Sequence, residues 1–128
     1  MNVVDTSGWL AYFAGEPNAK HFAQPLQTPQ ELVVPTVSLY EVFKVALRES
    51  GENAALQAVA AMQKGIVIDL TPALALAAGT LSLRHGLPMA DAIILATARK
   101  FDATLWTQDN HFIDIAGVRY FAKKIALH

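Results

Sequence analysis

The stretch that most constrains the fold of this chain is Leu87–Ala98, which reads LPMADAIILATA. Pro88 precedes a run of strong helix formers, which predicts that a helix begins there. Ile94 and Leu95 belong to an apolar surface that extends nearly all round this helix, so the helix should be buried. Asp91 nevertheless lies in its first turn, and a buried ionised carboxylate is costly unless another group pairs with it. The rest of the chain must therefore supply a partner for Asp91.

Length and composition predict a single domain, residues 1–128. A hydrophobic content of 53% with 16% charged residues argues against disorder. The chain has no cysteine, which excludes disulfides and thiolate metal sites and fits a cytoplasmic location. We expect no signal peptide, because Met1 leads directly into a predicted strand and an aspartate, without a basic start and a long apolar run. We expect no membrane association, because the longest uncharged apolar stretch, Leu70–Leu83, contains Pro72 and is shorter than the roughly 20 residues of a membrane span.

Strand and helix signals alternate along the chain. Short apolar runs predict strands at residues 2–5, 32–34, 66–68, 104–107 and 118–121. Helices are expected around residues 9–13, 18–23, 53–64, 71–85 and 87–98, with a short turn or helix from residue 109. A further long helix is expected from Thr36 or Ser38 to about Ser50. Thr6 or Ser7 is the expected cap of the first helix. The alternation favours an α/β fold with a mostly parallel sheet covered by helices on both faces.

Four acids fall at the same edge of this predicted sheet. Asp5 ends the first strand, Asp109 follows the fourth, and Asp91 opens its helix. Glu41 lies early in the helix after the second strand, and helical side chains lean back towards the N-terminus. Because ligands of open parallel sheets bind outside the carboxyl ends of the strands, we expect the four carboxylates to converge there.

A divalent cation would offset the repulsion between these converging carboxylates. Oxygen ligands without cysteine or a histidine pair indicate Mg²⁺ or Mn²⁺ rather than zinc. Each acid also has a purely structural interpretation. Asp5 and Asp109 are typical helix caps or turn formers, and Asp91 suits the positive end of its helix dipole. The pattern Ser38-x-x-Glu41 matches a capping box.

The sequence resembles PIN-domain ribonucleases over nearly its whole length, and most closely the VapC toxins of toxin–antitoxin pairs. Four stretches carry the resemblance: VVDTSGWLAYF, VSLYEVFKVAL, LPMADAIILATA and LWTQDNHF. It implies a PIN-like domain with a five-stranded parallel sheet flanked by helices. The resemblance implies that the catalytic metal cluster consists of Asp5, Glu41, Asp91 and Asp109. Thr107 matches a small hydroxyl position that helps to organise the site.

This resemblance also implies an activity and partners. The activity is metal-dependent hydrolysis of RNA phosphodiesters with Mg²⁺ or Mn²⁺. The partners are an RNA substrate, a small antitoxin whose basic segment occupies the acidic site, and a second copy of the chain in a homodimer. The chain departs from the pattern at His111, where many relatives carry a further acid. His111 is therefore given a supporting role, and the departure argues against a second tightly held metal ion.

The net charge of −1 conceals an uneven distribution. Without the four cluster acids, ten basic residues face seven acidic ones, a net charge of +3. Lys44 and Arg48 share a helix face with Glu41 and are candidates for holding RNA phosphates, with a solvated helix face as the alternative.

Two other interpretations account for parts of the sequence. A response-regulator receiver also gathers acids around Mg²⁺, but it needs an acidic pair after the first strand, where this chain has Asp5-Thr6-Ser7. A non-catalytic PIN-like subunit that binds an antitoxin and contributes to operator DNA regulation stays open. A lack of Mn²⁺ binding by the isolated chain would favour it.

Overall fold

A computed structural model describes residues 1–124, and residues 125–128, the end of the predicted domain, lie outside the described residues. The strands are β1 (Asn2–Val4), β2 (Val33–Pro35), β3 (Ile66–Ile68), β4 (Thr104–Thr107) and β5 (Val118–Tyr120). The α-helices are α1 (Thr6–Ala14), α2 (Ala19–Leu26), α3 (Thr36–Ser50), α4 (Glu52–Met62), α5 (Pro72–His85) and α6 (Met89–Lys100). Short 3-10 helices lie at Pro29–Glu31 and Asn110–Phe112.

Every strand pairing is parallel. β4 lies between β1 and β5, and β2 pairs with β3. A parallel bridge between Asn2 and Leu32 joins the two groups, which gives the order β3-β2-β1-β4-β5. The predicted α/β PIN-like fold with parallel strands is confirmed. The regular pairing forms one sheet of three strands and one of two, and the single bridge joins them. The chain reverses its direction of travel across the sheet between β1 and β4, which is where ligands of such folds bind.

α6 is the most buried helix, as the sequence predicted. Residues 92–98 are all buried, including Ile94 and Leu95. Its core cluster also contains Leu81 of α5, whereas the second cluster contains Trp9 of α1 and Val42 of α3. The helices of residues 1–124 include none with both the length and the apolar character of a membrane span.

The interpretation of Asp5 as a helix cap is confirmed, whereas the caps expected from Thr6 or Ser7 and from Ser38 do not form. α1 is capped by Asp5, whose carboxylate accepts from the Gly8 N–H, and not by Thr6 or Ser7. α3 already begins at Thr36, so Ser38 lies inside the helix and cannot form a capping box. Within residues 1–124, the buried Ser38 hydroxyl has no hydrogen-bond partner. The strand β2 runs through Pro35, which leaves no residues between strand and helix for a side-chain cap.

Candidate metal centre

The carboxyl ends of β1 and β4 place Asp5 and Thr107 side by side. Thr107 Oγ1 donates to Asp5 Oδ2 at 2.7 Å and accepts from the Asp109 N–H at 2.9 Å. One hydroxyl thus links the acid after β1 to the loop that carries Asp109. These contacts fit the organising position expected for Thr107.

Asp5 is a buried carboxylate that accepts hydrogen bonds from Thr107, Ser7 and the Gly8 N–H. Ser7 Oγ lies 2.8 Å from Oδ1 and 3.0 Å from Oδ2, and the Gly8 N–H lies 3.0 Å from Oδ1. Burial raises the pKa of Asp5 to about 7, against the hydrogen bonds from Thr107, Ser7 and Gly8, and the nearby charge of Asp109 adds to the increase. A positive charge beside Asp5 would therefore favour its ionised form.

Ser7 was missed as a site residue in the sequence analysis. The sequence predicts only a possible helix cap at Ser7, but its hydroxyl contacts Asp5 and lies 3.4 Å from Thr107 Oγ1. The available signal was its position two residues after a strand-ending acid, because a short polar side chain there can bond back to the carboxylate.

Three potential metal ligands converge next to Asp5 and Thr107. Asp91, Asp109 and His111 each offer one ligand atom, and the three atoms lie within 4.8 Å of one another. His111 Nδ1 is 2.9 Å from Asp91 Oδ2 and 3.1 Å from Asp109 Oδ1. Asp109 also caps the following 3-10 helix by accepting from the His111 N–H at 2.9 Å. The capping role and the ligand position of Asp109 are therefore compatible.

The ionisation of Asp91 and of His111 depends on the charges around them. Burial raises the pKa of Asp91, the charges of Asp109 and Glu41 add to the increase, and the hydrogen bond from His111 opposes it. The hydrogen bond to Asp91 and the negative charge of Asp109 raise the pKa of His111. The position of His111 between Asp91 and Asp109 thus favours a positive charge.

Glu41 reaches the same edge from α3 but stands outside the group of three ligands. Thr6 Oγ1 donates to Glu41 Oε1, and Glu41 is close enough to influence the pKa of Asp91. Further along α3, the exposed Lys44 Nζ lies 5.7 Å from the centre of the Tyr40 ring. Arg48 pairs with Glu49 at 3.4 Å, also on the exposed surface. The assignment of Lys44 and Arg48 to RNA binding stays a prediction.

The donor set fits a divalent cation. Two carboxylates suit a hard ion such as Mg²⁺, and one imidazole adds affinity for a transition metal such as Mn²⁺. Cysteine, which would favour zinc, is missing from the sequence.

A model of the PIN domain family matches residues 3–118 of the sequence. The chain belongs to the PIN domain family. This membership confirms the resemblance found in the sequence and excludes the receiver interpretation. A sequence search of curated proteins finds no match to this PIN protein.

Solved structures similar to this PIN protein include VapC toxins and their complexes. A toxin–antitoxin complex from Klebsiella pneumoniae has a TM-score of 0.78 at 25% identity, covering 93% of this chain and 96% of that chain. VapC20 of Mycobacterium tuberculosis, a sarcin-ricin loop cleaving toxin, has a TM-score of 0.74 at 25% identity, with 88% and 92% covered. VapBC2 of Rickettsia felis, bound to a promoter DNA fragment, has a TM-score of 0.70 at 15% identity, with 96% and 98% covered, and shows the shared fold alone. The VapC-type resemblance is thereby confirmed.

Proposed function

We propose that this PIN protein is a divalent-metal-dependent endoribonuclease and the toxin of a type II toxin–antitoxin pair. The observation that carries the proposal is the convergence of Asp91, Asp109 and His111 ligand atoms within 4.8 Å at the carboxyl edge of the sheet. The similarity to VapC20, a sarcin-ricin loop cleaving toxin, supports RNA cleavage as the activity.

The proposed ligands of Mg²⁺ or Mn²⁺, direct or through water, are Asp5, Glu41, Asp91 and Asp109, with His111 in support. The bound ion would activate a water molecule, orient the scissile phosphate and stabilise the charge that develops on it. Thr107 and Ser7 hold Asp5 in position, since both hydroxyls donate to its carboxylate. His111 can act as a ligand only in its neutral form.

An antitoxin and a second copy of the chain are the proposed protein partners. The antitoxin is supported by the similar structures, several of which are toxin–antitoxin complexes. The homodimer is supported by large apolar side chains at the surface of α5, where Leu76 is 76% and Leu83 is 91% exposed.

The activity is tested with the purified chain, free of antitoxin, on total cellular RNA in Mg²⁺ or Mn²⁺. We expect discrete cleavage that EDTA abolishes and that Asp91→Asn reduces at least 100-fold, because the amide cannot replace the anionic ligand. Calorimetry with Mn²⁺ is run on both proteins. Equal cleavage by parent and Asp91→Asn would show that the site assignment is wrong. A parent without cleavage and without Mn²⁺ binding would favour the non-catalytic, antitoxin-binding subunit.

A further inference from the structure

Three cations from distant parts of the sequence meet outside the candidate metal centre. Lys20 of α2, Arg119 of β5 and Lys124 are exposed and lie around His21, on whose ring all three charges act. Between residues 1 and 124, the ion pairs involve only Arg48 and His111 as positive partners. The three cations around His21 are therefore not neutralised by carboxylates of the described chain.

A stack of aromatic rings ends at the same place. Trp106 is buried and lies parallel to Phe121, with ring centres 5.9 Å apart. Phe121 is stacked in turn on His21, with centres 4.4 Å apart and planes within 10° of each other. The Arg119 guanidinium packs over this stack, 4.5 Å from the Trp106 ring and 5.8 Å from Phe121. The stack thus runs from the core to the partly exposed His21 ring.

His21 is suited to contact a flat, uncharged group. Desolvation and the positive charges of Lys124, Lys20 and Arg119 lower the pKa of His21 below its ordinary value of 6.5. The ring is therefore mostly neutral at pH 7. A neutral ring among cations can stack against a base while the cations hold the flanking phosphates.

Short contacts join this surface to the metal centre. The Phe121 N–H donates to the Thr107 carbonyl at 2.9 Å. The segment after β5 is therefore bonded to the same residue whose hydroxyl holds Asp5. Asn18 Nδ2 donates to the Ala122 carbonyl at 3.0 Å and to Gln108 Oε1 at 3.1 Å. The start of α2, the segment after β5 and the loop before Asp109 are thereby fixed to one another.

We propose that the surface formed by Lys20, His21, Arg119, Phe121 and Lys124 binds single-stranded RNA that leads into the metal centre. This inference rests on the proposed ribonuclease function. An acidic peptide would satisfy the cations but would leave the ring stack unused. Duplex DNA would likewise engage the charges alone, since its bases are already stacked on each other.

The test is a fluorescence-anisotropy titration of the full chain with a labelled 12-nucleotide single-stranded RNA in EDTA, where no metal-dependent cleavage can occur. We expect Lys20→Gln combined with Lys124→Gln to weaken binding about tenfold. It should also lower the slope of log affinity against log salt by about 1.4, from about 0.7 per lost phosphate contact. We expect His21→Ala to weaken binding at least fivefold with an unchanged slope, because it removes stacking and not charge.

The matched control is Lys64→Gln combined with Lys100→Gln. Both lysines are exposed and precede strands β3 and β4, so they lie at the opposite edge of the sheet. The control variant should bind RNA within twofold of the parent. Unchanged RNA binding by the Lys20 and Lys124 variant, or an equal loss in the control, would overturn the proposal. An equally strong effect of His21→Ala on a duplex DNA of the same sequence would also overturn it.

Failure of this inference is distinguishable from failure of the proposed function. RNA binding is measured in EDTA and RNA cleavage in Mg²⁺ or Mn²⁺, so the two proposals have separate readouts. Cleavage by the parent together with unaffected RNA binding by the surface variants would overturn the surface alone. Weakened RNA binding by those variants would support the surface even if no cleavage were found.

Discussion

Asp5 is the residue at which burial and ionisation oppose each other most strongly. It is 2% exposed, and burial raises its pKa to about 7 from 3.8. Between these two pH values the folded chain keeps a proton that the unfolded chain has lost. The stability contributed by the protonated form is therefore fully present below pH 3.8 and is lost as the pH rises through about 7.

The variant Asp5→Asn tests this linkage, because it removes the ionisation and keeps the shape of the side chain. In EDTA at pH 8 we expect it to have a higher free energy of unfolding than the parent, by up to about 4 kcal/mol. At pH 5 the folded parent is protonated but its unfolded chain is already ionised, so the difference should fall to about 1.6 kcal/mol. Urea denaturation at both pH values measures the difference. The same difference at pH 5 and pH 8 would contradict the raised pKa.

We expect His111 to influence the metal preference of the proposed site. Its imidazole lies between Asp91 and Asp109, where a carboxylate would favour harder ions. We expect His111→Ala to weaken Mn²⁺ binding about tenfold and His111→Asp to raise the affinity for Mg²⁺ relative to Mn²⁺. Calorimetry with each ion measures both effects. Unchanged affinities in both variants would place His111 outside the metal site.

At the scale of elements, α1 approaches β1 and α2 too closely to accept a side chain at Gly8. A Cβ atom there would lie 2.6 Å from Val4 Cγ1 and 2.9 Å from the Phe22 ring, both fully buried. This close approach also brings the Gly8 N–H to Asp5. The position of α1 thus depends on the lack of a side chain at Gly8 as well as on the apolar residues of the helix.

We expect Gly8→Ala to lower the free energy of unfolding by about 1–3 kcal/mol, because overpacking displaces buried neighbours. Gly79→Ala in α5 is the matched control, since a Cβ atom there meets nothing within 4 Å. It should raise the free energy of unfolding by about 0.5–1 kcal/mol through helix propensity. Urea denaturation of both variants gives the comparison. Shifts of the same sign would contradict the close packing of α1.

For the whole molecule, the proposed metal centre connects elements that are distant in the sequence. Asp5 follows β1, Glu41 lies in α3, Asp91 in α6, and Asp109 and His111 follow β4. A ligand that binds only the folded chain stabilises all of these elements together. Metal binding should therefore report on the fold and on the site at once.

We expect Mn²⁺ at 100 times its Kd to raise the free energy of unfolding by about 2.7 kcal/mol. The melting temperature of the parent should rise by several degrees, as measured by circular dichroism. Asp91→Asn should show less than a third of this increase, because it lacks one anionic ligand. An equal increase in both proteins would indicate that Mn²⁺ binds elsewhere.

The sequence by itself determined the alternation of strands and helices, the burial of α6 and the positions of four acids at one edge. Those features follow from local periodicity, turn residues and chain order, which a single sequence contains. Only the tertiary structure decided which side chains touch. It brought His111 between Asp91 and Asp109, and it gathered Lys20 and Arg119 at one surface. Such contacts depend on strand order and helix placement across about 100 residues, and local patterns do not specify them.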